Sequence, residues 1–202
     1  VSERAAQSDA SLFEAWRAGD ASAGEALFER HFDAIYRFFD AKIRADVADL
    51  VQRTFLGCVE SRERFRGASS FRVFLFAIAR HELYQYFRAK RRDAALDFGV
   101  SSIADLTPSP STLARARSER ECLQQALRAL PLEQQLAVEL HYWEGLSGPE
   151  LAAILEVPEG TVRSRLRRAL EGLRDRLAQT PPLGAPPGAD LEAWARALAT
   201  RV

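Results

Sequence analysis

An all-α fold of two small helical domains joined by a flexible linker, the second a helix-turn-helix, is predicted by three features of this 202-residue sequence. Apolar residues recur at helical spacing almost throughout, and no segment alternates with the strand period of two. That periodicity lapses over 93–112, where Gly99, Pro108, Pro110 and a run of Ser and Thr replace it. A cap, a tight turn and a helix-starting proline then follow one another between Ser147 and Pro158.

The elements follow in order. Phe28, Phe32, Ile35 and Phe39 mark one face of a helix over about 22–43. Val47, Leu50, Val51, Phe55, Cys58 and Val59 mark the next. Phe71, Phe74, Leu75, Ile78, Ala79 and Leu83 mark a longer one, from about Ser70 to Arg91, with Gly19 and Gly67 punctuating the breaks. Helical spacing returns at Leu123, Leu127 and Leu130 and runs to Leu177. The expected organisation is therefore a first domain over 1–92, a linker over 93–112, a second domain over 113–178 and a Pro-rich tail over 179–202 with a short helical stretch.

An apolar fraction of 47% and a charged fraction of 28% suit a soluble globular protein. No apolar run approaches the roughly 18 residues that span a bilayer. The first ten residues are polar and carry no secretory pattern, so the expected location is cytoplasmic, without membrane insertion. Cys58 and Cys122 are too far apart for a metal or disulfide spacing, and His31, His81 and His141 are scattered. No Gly-rich phosphate loop or nucleophile signature appears, so no enzyme, cofactor, metal or small-molecule ligand is expected.

Net charge is zero, with 28 basic and 28 acidic residues, but the charge is unevenly placed. Residues 1–60 hold 7 basic and 11 acidic side chains, 61–92 hold 9 and 2, and 161–176 hold 6 and 2. Two basic segments on an acidic remainder suit a protein that meets phosphate at two places. Two solvated helix faces would give the same counts.

Ahead of the second basic segment, Ser147 and Glu150 have capping-box spacing, and Pro158 suits the first position of a following helix. Val162, Leu166, Ala169, Leu170 and Leu173 then form its inner face, leaving Arg163, Ser164, Arg167 and Arg168 outward near its start. Arginine forks there could pair bidentately with guanine in a major groove. Arg165, Arg174 and Arg176 lie off that line and suit phosphate contacts. Ala129-Leu130-Pro131, Gly145-Leu146-Ser147, Glu150-Leu151-Ala152, Gly160 to Leu166 and Arg168-Ala169 resemble region 4 of extracytoplasmic-function sigma factors, members of the sigma-70 family. The resemblance implies binding of the −35 promoter element through Thr161, Arg163, Ser164, Arg165, Arg167 and Arg168. Glu156 stands where that family usually has glycine, which implies a differently shaped turn.

The first basic segment interleaves aromatics with arginines. With Phe71, Phe74, Ile78 and Leu83 inward, Phe76, Arg80, Tyr84 and Arg88 share another face, the combination that holds unpaired strands. Asp49-Leu50-Val51-Gln52-Arg53-Thr54-Phe55, Arg64-Phe65-Arg66-Gly67, Phe71 to Leu75 and Ile78-Ala79-Arg80 resemble region 2 of the same family. That resemblance implies −10 recognition and melting by Phe65, Arg66, Gly67, Arg80, His81, Tyr84 and Arg88. It implies docking on core RNA polymerase through Asp46, Asp49, Gln52, Arg53 and Phe55. Phe74, His81 and Gln85 depart from the family's tryptophan, asparagine and aspartate. An anti-sigma factor is a further implied partner besides polymerase and promoter DNA. A stand-alone helix-turn-helix regulator would explain 113–178 but leaves the first domain without a role.

Overall fold

A computed structural model describes residues 7–65, 69–90, 97–106 and 119–179, and every helix or strand element among them is helical. The chain divides into two compact units, one ending at Lys90 and one beginning at Arg91.

The first unit comprises α1 (Asp9–Arg17), α2 (Ala21–Asp40), α3 (Val47–Ser61) and α4 (Phe71–Lys90). Ser8 caps α1 by accepting the Ser11 amide at 3.2 Å, and Asp20 caps α2 by accepting those of Ser22 and Ala23 at 3.1 and 3.3 Å. Such caps contribute about 1 kcal/mol each. Between the two helices Gly19 turns the chain at φ 104°, a conformation that favours glycine. α1 has no counterpart among the expected elements, because its buried residues Leu12, Phe13 and Trp16 are too few to show a period. It docks on α2 through Trp16, whose indole lies directly over Gly24. Asp9 adds a polar clasp: it pairs with Arg30 at 2.6 Å and with Nε2 of buried His31 at 2.7 Å.

α4 packs chiefly on α3 and also meets α1 and α2. It buries Phe71, Val73, Leu75, Phe76, Ala79, Leu83, Tyr84 and Phe87, which occupy more than one face. The expected exposed aromatic strip is therefore corrected: Phe76 and Tyr84 are core residues. Phe76 packs edge-on against Phe38 at 5.8 Å between centroids, and Arg80 covers the Tyr84 ring at 5.0 Å. Phe32 and Val59, expected on inner stripes, are exposed instead.

The second unit comprises α5 (Ile103–Leu106), α6 (Glu119–Arg128), α7 (Leu132–Tyr142), α8 (Gly148–Leu155) and α9 (Glu159–Gln179). Leu123, Leu127, Leu130, Val138, Ala169 and Leu173 join α6, α7 and α9 in one core. Within the expected flexible linker, Asp97–Leu106 is built into this unit. Phe98 and Ile103 are buried, and Ser102 pairs with Pro131 in an antiparallel bridge. The amides of Leu132 and Glu133 donate to the carbonyls of Ser101 and Phe98 at 3.0 and 3.1 Å. Those amides open α7, where no intrahelical acceptor exists and Pro131 supplies no side-chain cap. The remainder of the linker, and the tail beyond Gln179, lie outside the described residues.

Two predictions test the first unit. A Cβ at Gly24 would sit 2.5 Å from Trp16 Cδ1, so Gly24→Ala should lower unfolding free energy by about 1–3 kcal/mol in denaturant titrations. Burial holds the His31 pKa below its ordinary 6.5, against the opposing pull of Asp9. Burial would raise the Asp9 carboxyl, but Arg30 and His31 outweigh it and hold it below its ordinary 3.8. Both depressed groups contribute stability above their unfolded pKa values, and this is lost as pH falls, beginning with His31 below about 6.5. Melting temperature should therefore drop between pH 7.5 and 5.5, and drop less in His31→Gln.

Candidate nucleic-acid interface

The local sequence sets how α9 is presented. Glu150 Oε2 accepts both the Ser147 amide at 2.8 Å and the Ser147 hydroxyl at 2.7 Å, starting α8 as the capping-box spacing anticipates. α8 buries Leu151, Ile154 and Leu155 and ends at Glu156 with φ 55°, ψ 43°. The expected reshaping of the turn is thus corrected. Glu156 itself adopts the left-handed conformation, at a cost of about 1–2 kcal/mol for a side chain with a Cβ. The Val157 amide then donates to Ala152 O at 3.2 Å, and the Pro158 carbonyl accepts from Thr161 and Val162 as α9 begins.

Val162, Ala169, Leu170 and Leu173 bury one side of α9. Arg163, Arg167 and Arg168 project from the other side near its start. Arg163 reaches Glu159 at 3.4 Å with its side chain 74% exposed, and Arg167 reaches Glu171 at 4.0 Å with its side chain 73% exposed. Exposed pairs four apart on a helix contribute about 0.3–0.5 kcal/mol, so a phosphate or base edge displaces them cheaply. Ser164 donates its hydroxyl to the Thr161 carbonyl at 2.8 Å, and both residues are half-buried.

The other arginines behave differently. Arg165 turns into the unit and pairs with Glu133 on α7, with its side chain only 16% exposed. Arg176 Nη2 donates to the Ala129 carbonyl at 2.8 Å. Both fasten α9 to its neighbours, so Arg165 leaves the expected −35 set and Arg176 the expected phosphate set, while Arg174 stays exposed. His141 is likewise structural, with Nδ1 2.8 Å from the Leu146 carbonyl oxygen.

In the first unit, Phe65 packs on Phe13 and Phe74 at 4.8 and 4.7 Å, so its ring is part of the fold. Arg66 and Gly67 lie outside the described residues. His81, Gln85 and Arg88 form an exposed strip on α4 at i, i+4 and i+7, with His81 Nε2 3.4 Å from Gln85 Nε2; Arg80 is half-buried beside it.

On α3, Asp49 and Arg53 pair at 2.8 Å, and Asp46 enters the helix at φ 68° with Lys90 Nζ 3.3 Å from its carboxylate. Asp49, Gln52 and Arg53 are exposed. Between α2 and α3 lies an apolar groove of about 320 Å³, lined by Phe28, Phe32, Tyr36, Val51, Phe55, Leu56 and Val59. Phe55, the one apolar residue of the expected polymerase-binding set, sits in its floor against Phe28 at 4.7 Å. The groove was not anticipated. Its signal was Phe28, Phe32 and Tyr36 spaced by four, facing a stripe on α3 wider than one core requires.

The family model of Sigma-70 region 2 matches residues 27–93, and that of Sigma-70, region 4 matches residues 120–173. The ECF RNA polymerase sigma-E factors of Salmonella typhimurium and Escherichia coli K12 are each 30% identical over 179 residues, covering 84% of this chain and 94% of theirs. This chain is an extracytoplasmic-function sigma factor. Among solved structures, CnrH in complex with the cytosolic domain of CnrY aligns at TM-score 0.64 and 25% identity, over 85% of this sigma factor and 98% of that chain. The sigma factor RpoE in complex with the anti-sigma factor NepR from Bartonella quintana shares the fold at TM-score 0.59 and 24% identity, over 76% and 95% of the two chains. As a sigma factor the protein binds core RNA polymerase and directs initiation at promoters. Among its described residues no helix is long and apolar enough to cross a membrane.

Relief of the left-handed strain gives a test of the turn. Glu156→Gly should stabilise the second unit by about 0.5–1 kcal/mol, after the greater chain entropy of glycine is deducted. Thermal unfolding of the two variants measures it directly.

Proposed function

We propose that this sigma factor reads the −35 element with Arg163, Arg167 and Arg168 and meets the −10 region with Arg80, His81 and Arg88. The observation that carries this reading is the division of labour on α9. Arg163 and Arg167 hold only weak pairs on their own helix and Arg168 is exposed, while Arg165 and Arg176 are committed to the fold. Free arginine forks in the first turns of a recognition helix suit guanine O6 and N7 in the major groove. Thr161 and Ser164 lie beside them in sequence and suit contacts to the phosphate backbone.

Core polymerase would dock on the exposed face of α3, with Asp49, Gln52 and Arg53 at the rim and the Phe55 groove at the centre. An apolar centre with a polar rim is the usual anatomy of a protein interface. The protein does no bond chemistry of its own in this reading. It acts in the cytoplasm, where polymerase and promoter meet. An anti-sigma factor would hold it inactive by covering these surfaces; the related Bartonella quintana RpoE is found in complex with such a partner. Promoter affinity would come mainly from the assembled complex, because net charge is zero and the basic excess is confined to two short segments.

Run-off transcription with core polymerase on fragmented source DNA tests the whole reading. Protein-dependent start sites with two shared upstream elements are expected; duplex binding without any initiation would favour a stand-alone regulator. On such a promoter, Arg167→Ala should cost about 1–3 kcal/mol of discrimination at one −35 position. Leu56→Glu should weaken core binding at least about tenfold in a pull-down titration while leaving the melting temperature near wild type, since Leu56 is exposed in the groove.

A further inference from the structure

A charged side chain recurs every four residues along one row of α9: Glu159, Arg163, Arg167 and Glu171. Arg163 and Arg167 serve the proposed −35 contact, whereas Glu159, the acidic residue of the first turn, has no part in it. The opening turns of a recognition helix are the ones that reach base edges. A carboxylate there is repelled by phosphate and weakens sequence-independent binding. Charge alone therefore gives Glu159 no reason to face DNA; a base contact does.

The side chain is held in place before DNA arrives. Glu159 Oε1 lies 3.4 Å from Arg163 Nη2. A Cβ at Gly148, the first residue of α8, would sit 3.3 Å from that oxygen and 3.4 Å from Glu159 Cγ. Gly148 thus leaves a seat at the start of α8 into which the glutamate folds, and the positive end of that helix favours its charge. With its side chain 46% exposed, Glu159 still faces solvent. A carboxylate has about four acceptor sites, so one weak ion pair does not saturate it.

Donor chemistry then selects the base. A carboxylate only accepts hydrogen bonds, and in the major groove only cytosine N4 and adenine N6 donate. Adenine sets an acceptor, N7, beside its amino group, while the polar atoms of guanine and thymine there are all acceptors. Cytosine is the one base whose edge presents a donor and no acceptor. When the Arg163 fork turns to guanine it gives up its hold on Glu159, and a cytosine amino group takes its place. Four residues of α-helix rise about 6 Å, the height of about two base-pair steps, so the two contacts fall on neighbouring positions.

We infer that Glu159 is a specificity-determining residue of the −35 contact, accepting the N4 amino group of a cytosine within about two base pairs of the guanine read by Arg163. This rests on the −35 reading above, in which the first turns of α9 enter the major groove.

Run-off transcription with core polymerase on a promoter whose −35 element is randomised tests the inference. Wild-type protein should select a G·C pair that Arg163→Ala no longer selects, and a second G·C pair within about two positions of it. Glu159→Gln should lower selection of the second pair at least about fivefold and move it toward A·T, because glutamine pairs with adenine N6 and N7. Selection at the other −35 positions should stay within about twofold. Gly148→Ala keeps every charge but presses on Glu159 Oε1, and should weaken selection at the same position alone. An equal gain in initiation by Glu159→Gln at every −35 sequence would mean that the carboxylate only repels phosphate, and overturns the inference. Unchanged selection by Glu159→Gln at all positions also overturns it, and both results leave the −35 reading standing. If Arg163→Ala leaves −35 selection unchanged, the reading of Arg163 fails and the inference fails with it.

Discussion

The burial of α4 on more than one side is the constraint on which the first unit depends. Phe71, Leu75 and Leu83 are sealed in its core, and so are Phe76, Tyr84 and Phe87. Fully burying a large apolar side chain contributes about 1.5–3 kcal/mol, so six of them together outweigh any preference for leaving rings on the surface. Before its last two residues, what remains exposed is a narrow polar strip of His81, Gln85 and Arg88. That strip is thus hydrogen-bonding and cationic in character. The aromatic residues of α4 act one layer down, holding the helix that carries the strip.

A similar partition governs the second unit, here within one residue type. The guanidinium group is always charged and carries five donors, so its surroundings decide whether it serves recognition or architecture. Arg165 and Arg176 face carboxylate and carbonyl oxygens supplied by α7 and the end of α6, and become fasteners. Arg163 and Arg167 meet only acidic residues on their own helix, four positions away, and remain available. The turn that aims them is held by Glu156 in a strained conformation, so packing of α8 against α9 outweighs the local backbone preference.

The α2–α3 groove and the Asp97–Leu106 segment show the same balance between units and their surroundings. Phe32, Tyr36, Leu56 and Val59 stay exposed although the first unit has a full core, leaving an apolar face uncovered within that unit. The Asp97–Leu106 segment does the reverse, burying Phe98 and Ile103 from a stretch that carries no helical period. Its stability comes from two main-chain bonds that α7 lacks elsewhere, together with Phe98 and Ile103.

The sequence by itself determined the helical class, the two-unit order, the cap at Ser147 and the arginines that open α9. Each rests on short-range physics: a 3.6-residue period, a side chain reaching three residues along, or a proline with a fixed φ. Tertiary structure alone decided that Tyr84 and Phe76 are core, that Arg165 and Arg176 are engaged, that α1 clasps His31, and that Asp97–Leu106 docks. A helix with apolar residues all round gives no local sign of which faces will be covered. An arginine likewise gives no local sign of the distant carboxylate it will meet. Those outcomes depend on partners 20 or more residues away, whose positions are set only when the units pack.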